Sequence, residues 1–266
     1  MMRARFAAIL FVLASSVAIG QHGDHAVANS YASTEDLVRR LESKDASIRK
    51  NVVDSLGIVD WTLSKPCYEE FDKVEAKPAS LAKDKESAIL VVNSESCQTL
   101  FIIPVIKERN AWIAYKAISL WAKFAYPTIR IDSLVNAGEQ EIIASNVMAD
   151  EGSGLLQMNM TIFKFQRGRL EVVFDQPESL TVDIHTLEKG VPIIFNDEET
   201  SVFKFSKCSG CADALQFIEE TRNIKVERES DTADKTFHTK RSVKVYRSFE
   251  WDPQLEIFRM IEEFPR

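Results

Sequence analysis

The most regular alternation of apolar and polar residues lies in residues 155–175, and it predicts a β-hairpin. Every second residue from Leu156 to Ile162 is apolar, with polar residues between them. This is the period of a half-buried strand. Arg167 and Gly168 form the predicted turn, because glycine readily adopts the positive φ that tight hairpin turns require. We therefore expect two antiparallel strands on either side of Gly168.

The pairing of this hairpin follows from counting outward from its turn. Beyond Ile162 the apolar positions change parity, and such a change sends side chains to the opposite face unless a bulge absorbs it. The sequence therefore predicts a β-bulge near Ile162. The predicted cross-strand pairs are Phe165 with Leu170, Phe163 with Val172, and Lys164 with Glu171 as an ion pair.

Residues 33–58 carry the clear helical pattern of the sequence. Ser33 begins a sequence typical of a capping box, and Asp45 fits the N-cap of a second helix. Gly57 fits a C-cap, where glycine tolerates the left-handed conformation. Two short helices are therefore predicted, with apolar faces formed by Leu37 and Leu41 in the first helix and by Ile48, Val52 and Leu56 in the second.

The segment EDLVRRLESKDASIRKNVVDSLG is similar to a single HEAT-type helical hairpin. The likeness rests on Leu37, Leu41, the acidic turn at Asp45, Arg49, Val52 and Leu56. Such a resemblance implies stacking on further copies, because solenoids need several repeats to bury a core. The sequence shows no second copy, and the alternative is a helical pair that caps a sheet.

From residue 87 onward the apolar runs are short and predict strands. Three predicted hairpins share one form, a strand, a short polar turn and a returning strand, with turns near Arg109, Gly168 and Asp252. Their unequal spacing argues against a regular blade repeat. The predicted fold is mainly β with a short N-terminal helical hairpin. Its strands form an antiparallel meander of hairpins that makes a curled sheet, a sandwich or a partly closed barrel.

Several details of this meander are also predicted. Residues 112–120 are expected to form one strand, although their spacing also suits a helix. Pro104 is expected at a strand end or an edge, because proline cannot donate to a strand ladder. Residues 191–195 and 202–206 are expected to be separate strands, and the charged stretch 229–239 a disordered loop.

The chain divides into four predicted segments. Residues 1–20 resemble a secretory signal peptide with a basic start, an apolar stretch and small residues before the cleavage site; a membrane anchor is the alternative. Residues 21–32 are a predicted mobile leader. Residues 33–86 are the helical hairpin and a connector, and residues 87–266 the β-rich domain.

The four cysteines, Cys67, Cys97, Cys208 and Cys211, are predicted to form disulfides, because an exported chain meets an oxidising compartment. The favoured pairing joins Cys67 to Cys97 and Cys208 to Cys211. The C-x-x-C spacing of the second pair also occurs in redox centres and in half of a zinc site. A structural disulfide is the favoured interpretation of Cys208 and Cys211.

The net charge of the chain argues against some classes of binding partner. The formal net charge is −7 and no basic cluster is present, which argues against nucleic acid or an anionic membrane surface. After signal cleavage no apolar run is long enough to span a bilayer. The expected partner is an unidentified protein, peptide or carbohydrate.

No motif assigns catalytic residues, a metal or a cofactor. Asp150 and Glu151 lie in a glycine-containing loop and are candidate binding residues, because their carboxylates could hold a cation. The sequence therefore predicts an exported, extracytoplasmic (periplasmic or secreted), non-enzymatic binding or structural protein. Two alternatives remain open: a thiol–disulfide protein using Cys208 and Cys211, and a hydrolase whose acidic residues are not identified.

Overall fold

The computed structural model describes residues 29–60, 63–123, 125–135, 138–150, 155–188, 191–207, 216–230 and 237–265. In these ranges the chain forms two helices, α1 (Thr34–Leu41) and α2 (Ala46–Leu56), and fourteen strands in two antiparallel sheets. The predicted signal peptide lies outside the described residues. Neither described helix has the length and apolar character that crossing a bilayer requires.

The first sheet has six strands in the order β1-β5-β4-β3-β2, with β6 paired to β4 beside β5. Its strands are β1 (Asn29–Tyr31), β2 (Lys73–Pro78), β3 (Ser87–Ser94), β4 (Thr99–Glu108), β5 (Ala111–Ala114) and β6 (Ile118–Trp121).

The second sheet has eight strands in strictly sequential order, so it is the predicted meander. The sheet is not closed into a barrel. Its strands are β7 (Thr128–Asp132), β8 (Glu141–Asp150), β9 (Leu155–Gln166), β10 (Arg169–Glu188), β11 (Val191–Lys207), β12 (Gln216–Ser230), β13 (Phe237–Asp252) and β14 (Ile257–Pro265).

Both helices begin and end where the sequence predicts. The Ser33 hydroxyl accepts a hydrogen bond from the backbone N–H of Asp36 at 3.1 Å, and the Asp45 carboxylate accepts one from the N–H of Ser47 at 2.8 Å. Gly57 ends α2 with a φ of 63°. Side-chain acceptors satisfy N–H groups that the first turn of a helix leaves free.

The helices cover one face of the first sheet. Leu37, Leu41 and Leu56 are fully buried against alternate residues of β3 and β4, including Leu90 and Phe101. The arrangement is the predicted alternative of a helical pair that caps a sheet. One helical hairpin is present in the described chain, without the stacked copies that the HEAT-type likeness implies.

The apolar runs of β3 and β4 are continuous because both faces of these strands are buried. Leu90 and Val92 face the helices, whereas Ile89 and Val91 face the second sheet. There they pack against residues of β8, β9 and β10, namely Ile142, Ala144, Phe163 and Leu170.

The other face of β8–β10 is buried by the far part of the same sheet. We call the strands β7–β9 with residues 169–177 the middle layer, and residues 201–207, 216–222, 245–252 and β14 the outer layer. Phe174 of the middle layer makes edge-to-face contacts with Phe203, Phe249 and Phe258, at centroid distances of 5.8, 5.0 and 6.0 Å. The meander therefore folds over on itself.

The predicted hairpin register is confirmed. Phe165 pairs with Leu170, Phe163 with Val172 and Lys164 with Glu171. Arg167 and Gly168 both have positive φ, 53° and 77°, as a tight primed turn requires.

The bulge predicted near Ile162 is present in the ladder at that position, but on the opposite strand. The register shift falls between Val172 and Phe174, so the extra residue is Val173 of β10 rather than Ile162. The parity change in β9 has another cause. Phe163 faces the first sheet while Met160 and Ile162 face the outer layer, so β9 is buried on both faces and the extra residue belongs to β10.

The predicted Lys164–Glu171 ion pair is wrong. Lys164 Nζ contacts Glu139 at 2.8 Å and Glu141 at 3.2 Å. Glu171 pairs instead with Arg169 at 2.6 Å. Lys164 has only 11% of its side chain exposed and Glu141 none. Glu141, on the neighbouring strand β8, is therefore a more buried partner for Lys164 than Glu171 is.

Two predictions for the first sheet need correction. The single strand expected at residues 112–120 is two strands, β5 and β6, broken at residues 115–117. Pro104 lies inside β4, where its C=O accepts from Tyr115 N–H at 3.0 Å. A residue's N–H and C=O point to the same side in a strand, so the missing proline donor faces this break.

Elsewhere the ladders are longer than predicted. The two strands expected at 191–195 and 202–206 form the continuous β11. The expected loop 229–239 is shortened, because Glu229 pairs with His238 in the β12–β13 ladder; residues 231–236 lie outside the described chain. Long uninterrupted pairing with β12 explains both differences.

The N-terminal segments also contribute to the first sheet. Residues 29–31 of the expected mobile leader form β1, which pairs with β5, and Tyr31 is buried. Part of the expected connector forms β2, which pairs with β3. Burial of Tyr31 and backbone pairing fix these residues.

Cys67 and Cys97 form the predicted disulfide, with their Cα atoms 6.1 Å apart. Cys67 precedes β2, and Cys97 lies in the turn between β3 and β4. Both sulfurs belong to the core that the helices cover. The bond therefore holds the segment that follows α2 against the first sheet.

We expect the Cys67→Ala/Cys97→Ala double variant to lose about 3–4 kcal/mol of unfolding free energy, because the bond closes a loop that spans 30 positions. Urea unfolding measures the loss, and adding reductant to the wild type should reproduce it. Cys208→Ala/Cys211→Ala is the matched control. Equal stability of the oxidised and reduced wild type would contradict the expectation.

We expect Lys164→Met to cost about 3–5 kcal/mol, because it leaves the buried Glu141 carboxylate without its cation. Glu141 also accepts from the N–H groups of Leu134 and Val135, and glutamine keeps these acceptors. Glu141→Gln/Lys164→Met should therefore be more stable than Lys164→Met alone. Denaturant unfolding of both variants measures this, and a double variant less stable than Lys164→Met would contradict it.

Candidate functional site

The residues singled out by sequence are only partly described. Cys208, Cys211 and Glu151 lie outside the described residues, so the redox and structural alternatives for the cysteine pair stay predictions. Asp150 ends β8, where its backbone pairs with Leu155. The structure brings together Cys67 and Cys97, which form a disulfide in the core that the helices cover.

A cleft opens where the middle and outer layers separate. Strand β10 pairs with β11 only from Ser179 onward, and the ladder ends at Thr200 of β11. Before Ser179, β10 pairs with β9 alone, and beyond Thr200, β11 pairs with β12 alone. The two layers diverge from this point, and the space between them is the interlayer cleft.

The interlayer cleft has a volume of about 360 Å³, within the usual range of small-molecule sites. One part of its lining is apolar and comes from both layers. The other part carries hydroxyl and charged groups. The lining residues are Thr128, Arg130, Ile143, Ser145, Met160, Glu178, Ser201, Val202, Phe203 and Phe205.

Glu178 lies at the point of separation. The register between β9 and β10 shifts between Pro177 and Ser179, so Glu178 is the extra residue of a bulge. Its Oε2 atom is buried and has no hydrogen-bond partner among the described residues. A buried acceptor without a partner costs free energy, and bulges often aim side chains into sites.

Arg130 stands at the opposite end of the cleft, on the edge strand β7. Its side chain is exposed, and its guanidinium lies 5.4 Å from the centroid of the Phe205 ring across the cleft. Within the described chain Arg130 forms no ion pair. It therefore offers a positive charge at the mouth, held in place by an aromatic face.

Ser201 connects the cleft to a buried charged network. Its hydroxyl donates to the Glu220 carboxylate at 2.6 Å, and Arg247 lies 3.7 Å from the other oxygen of Glu220. Arg247 also binds Glu263 at 2.7 Å. Burial raises the pKa of Glu220, against the lowering effects of Ser201 and Arg247. The network fixes the wall of the cleft behind Ser201.

A second polar cluster occupies the opposite face of the middle layer. Asp175 accepts from Thr161 at 2.8 Å and from Asn159 at 3.5 Å. Burial raises the pKa of Asp175. Thr161 and Asn159 therefore satisfy this carboxylate within the layer.

Two larger surface depressions offer fewer polar groups that are available to a ligand than the interlayer cleft does. One, of about 680 Å³, is lined by charged residues that pair with each other, Lys85 with Glu108 and Lys107 with Glu86. The other, of about 590 Å³, lies between α1 and β2; its Arg39 pairs with Asp36. The interlayer cleft alone among the three contains a buried acceptor without a partner.

The described residues contain no group of three or more histidine, cysteine or acidic side chains placed to hold a metal ion. The arrangement in the cleft is instead suited to non-covalent binding. Apolar walls bury the body of a ligand, and a few polar groups fix its orientation.

Comparison of the chain with protein-family models, curated proteins and solved structures gives no match.

Sequence reasoning missed the cleft, although part of its signal was present. Ser201, Phe203 and Phe205 alternate with exposed residues and so share one face of β11. Pro177 in the middle of a strand marks an irregularity, and the bulge at Glu178 follows it directly. That these two stretches line one cleft depends on the separation of β10 from β11, for which no local pattern exists.

We expect Glu220→Gln to change how stability depends on pH. The pKa of Glu220 is raised in the folded chain. As pH rises above about 4.3, the unfolded chain loses the Glu220 proton before the folded chain does. The stability of the wild type therefore falls with rising pH in this range. Glutamine does not titrate, so the stability of the variant relative to the wild type should increase with pH.

Denaturant unfolding at several values from about pH 4 to about pH 7 measures this difference. Glu219, the exposed neighbour of Glu220, provides the matched control Glu219→Gln. A relative stability of Glu220→Gln that decreases with pH would contradict the assignment.

Proposed function

We propose that this chain is an exported, non-enzymatic binding protein that holds a small amphipathic ligand in the interlayer cleft. The observation that carries the proposal is the buried, unpartnered Oε2 of Glu178 within a lining of apolar and aromatic side chains. A ligand that donates a hydrogen bond there removes the cost of the unpaired acceptor.

Export is supported by the signal-like start of the sequence and is compatible with the Cys67–Cys97 disulfide. Disulfides persist in oxidising compartments. The proposed place of action is the periplasm or the extracellular medium.

The non-enzymatic part is supported by how the carboxylates near the cleft are used. Glu220 is held by Ser201 and Arg247, and Glu141 by Lys164 and two backbone N–H groups. These groups are occupied by structural partners. Glu178 lines the cleft and has one carboxylate oxygen without a hydrogen-bond partner, which suits recognition.

The test uses N-phenyl-1-naphthylamine, a neutral fluorophore with two apolar ring systems and one N–H donor. We expect its fluorescence to rise with saturable binding of one molecule per chain. Ser145→Phe fills the cleft and should weaken binding by about tenfold or more. Thr200→Phe, at an exposed position beside Ser201, is the matched control and should bind like the wild type.

Thr128→Phe provides a second obstruction at the mouth of the cleft. Thr128 is exposed on the edge strand β7, so this variant leaves the core unchanged. Thermal unfolding of each variant shows that the fold is kept. No saturable binding to the wild type, or equal binding to the wild type and to folded Ser145→Phe and Thr128→Phe, would contradict the proposal.

A further inference from the structure

We infer that the ligand of the interlayer cleft is a short zwitterionic peptide with apolar side chains, bound with its ammonium group at Glu178 and its carboxylate at Arg130. The inference rests on the proposed function and specifies the ligand class. It follows from the positions of the two charged groups and from what lies between them.

The two charges stand at opposite ends of the cleft. Arg130 lies on β7 and Glu178 on β10, with β8 and β9 between them. Three spacings between neighbouring strands separate these backbones by about 14 Å across the sheet. The register places Arg130 in line with Phe174, so Glu178 lies a further ~12 Å along β10 and the two backbones are about 18 Å apart. Within the described chain Arg130 and Glu178 form no ion pair with each other or with any other residue. Each is therefore available to an opposite charge on a ligand.

The space between the charges is apolar. Ile143 and Met160 come from the middle layer, and Phe203 and Phe205 from the outer layer. A single charged head with a long apolar tail would satisfy only one end. A ligand with a charge at each end and an apolar middle matches the whole lining.

The distance between the charges selects the length of the ligand. Extended peptide spans about 3.3–3.6 Å per residue, so two or three residues cover about 7–11 Å. The side chains of Arg130 and Glu178 take up the remaining ~7–11 Å between their backbones. A single amino acid is too short to reach both ends, because its ammonium and carboxylate share one Cα.

The two ends of the cleft differ in burial, and this difference predicts which contact contributes more to the affinity for the ligand. Glu178 Oε2 is buried, whereas Arg130 is exposed at the mouth. A buried charge pair is screened less by solvent and salt than an exposed one. The ammonium contact should therefore contribute more to affinity than the carboxylate contact.

The experiment measures displacement of N-phenyl-1-naphthylamine from the full mature chain by three dipeptides. Leu-Leu carries both charges, N-acetyl-Leu-Leu lacks the ammonium, and Leu-Leu-amide lacks the carboxylate. We expect Leu-Leu to displace the fluorophore, N-acetyl-Leu-Leu to be weaker by about tenfold or more, and Leu-Leu-amide to be weakened less.

Two variants assign each end. Glu178→Gln should remove the preference for Leu-Leu over N-acetyl-Leu-Leu, and Arg130→Met the preference over Leu-Leu-amide. The matched controls are Glu198→Gln and Arg169→Met, which change exposed charges outside the cleft. Both controls should keep the wild-type preferences.

The outcomes separate the two proposals. If the fluorophore binds in the cleft but the neutralised dipeptides displace it as well as Leu-Leu, or no dipeptide displaces it, the peptide inference is overturned and the binding function stands. If neither the fluorophore nor Leu-Leu binds, both fail. Recovery of cleaved Leu-Leu would overturn the non-enzymatic function, because it would show turnover.

Discussion

The fold depends on burial of the β9–β10 hairpin on both faces. At adjacent positions, Phe163 packs toward the first sheet and Ile162 toward the outer layer. Successive strand residues point to opposite faces, so this pair of neighbours joins two separate cores. The first sheet and the outer layer bury apolar surface against the same two strands. Loss of the hairpin would therefore expose both cores at once.

The same constraint creates the cleft. To cover the inner face of the middle layer, β11 must leave β10 and cross over it, and the ladder between them ends at Ser179 and Thr200. The layers are close where Phe174 meets Phe249 and Phe258. The cleft lies between them, beside the bulge at Glu178. The cleft is thus a geometric consequence of folding one meander into two layers.

Local physics was sufficient to predict much of this fold from sequence. Turn chemistry at Gly168 fixed the register of the hairpin, because backbone twist and positive φ leave few alternatives. The caps at Ser33 and Asp45 likewise depend on residues a few positions apart. The Cys67–Cys97 pairing could be predicted because the two cysteines are close in sequence. Cys67 precedes β2, and Cys97 follows β3, the strand with which β2 pairs.

What failed was decided by contacts distant in sequence. The bulge near Ile162 was predicted, but its extra residue is Val173 of β10, and only the burial of β9 on both faces shows why β9 itself is regular. Lys164 faces Glu171 in register but binds Glu141 of β8, because that partner is fully buried. For the same reason no local pattern joins Arg130, Glu178 and Phe205 into one site.

The buried carboxylates of this protein differ in how fully internal groups satisfy them. Glu141 and Glu220 are both fully buried, and each is held by an internal cation and internal donors. Such groups stabilise the fold only while every partner is present. Glu220 Oε2 makes no hydrogen bond but lies 3.7 Å from Arg247. Glu178 Oε2 also makes no hydrogen bond, and Glu178 has no ion pair in the described chain and lines the cleft. The cost of the unpaired Glu178 oxygen lies at the cleft, and a bound donor that relieves this cost gains affinity from it.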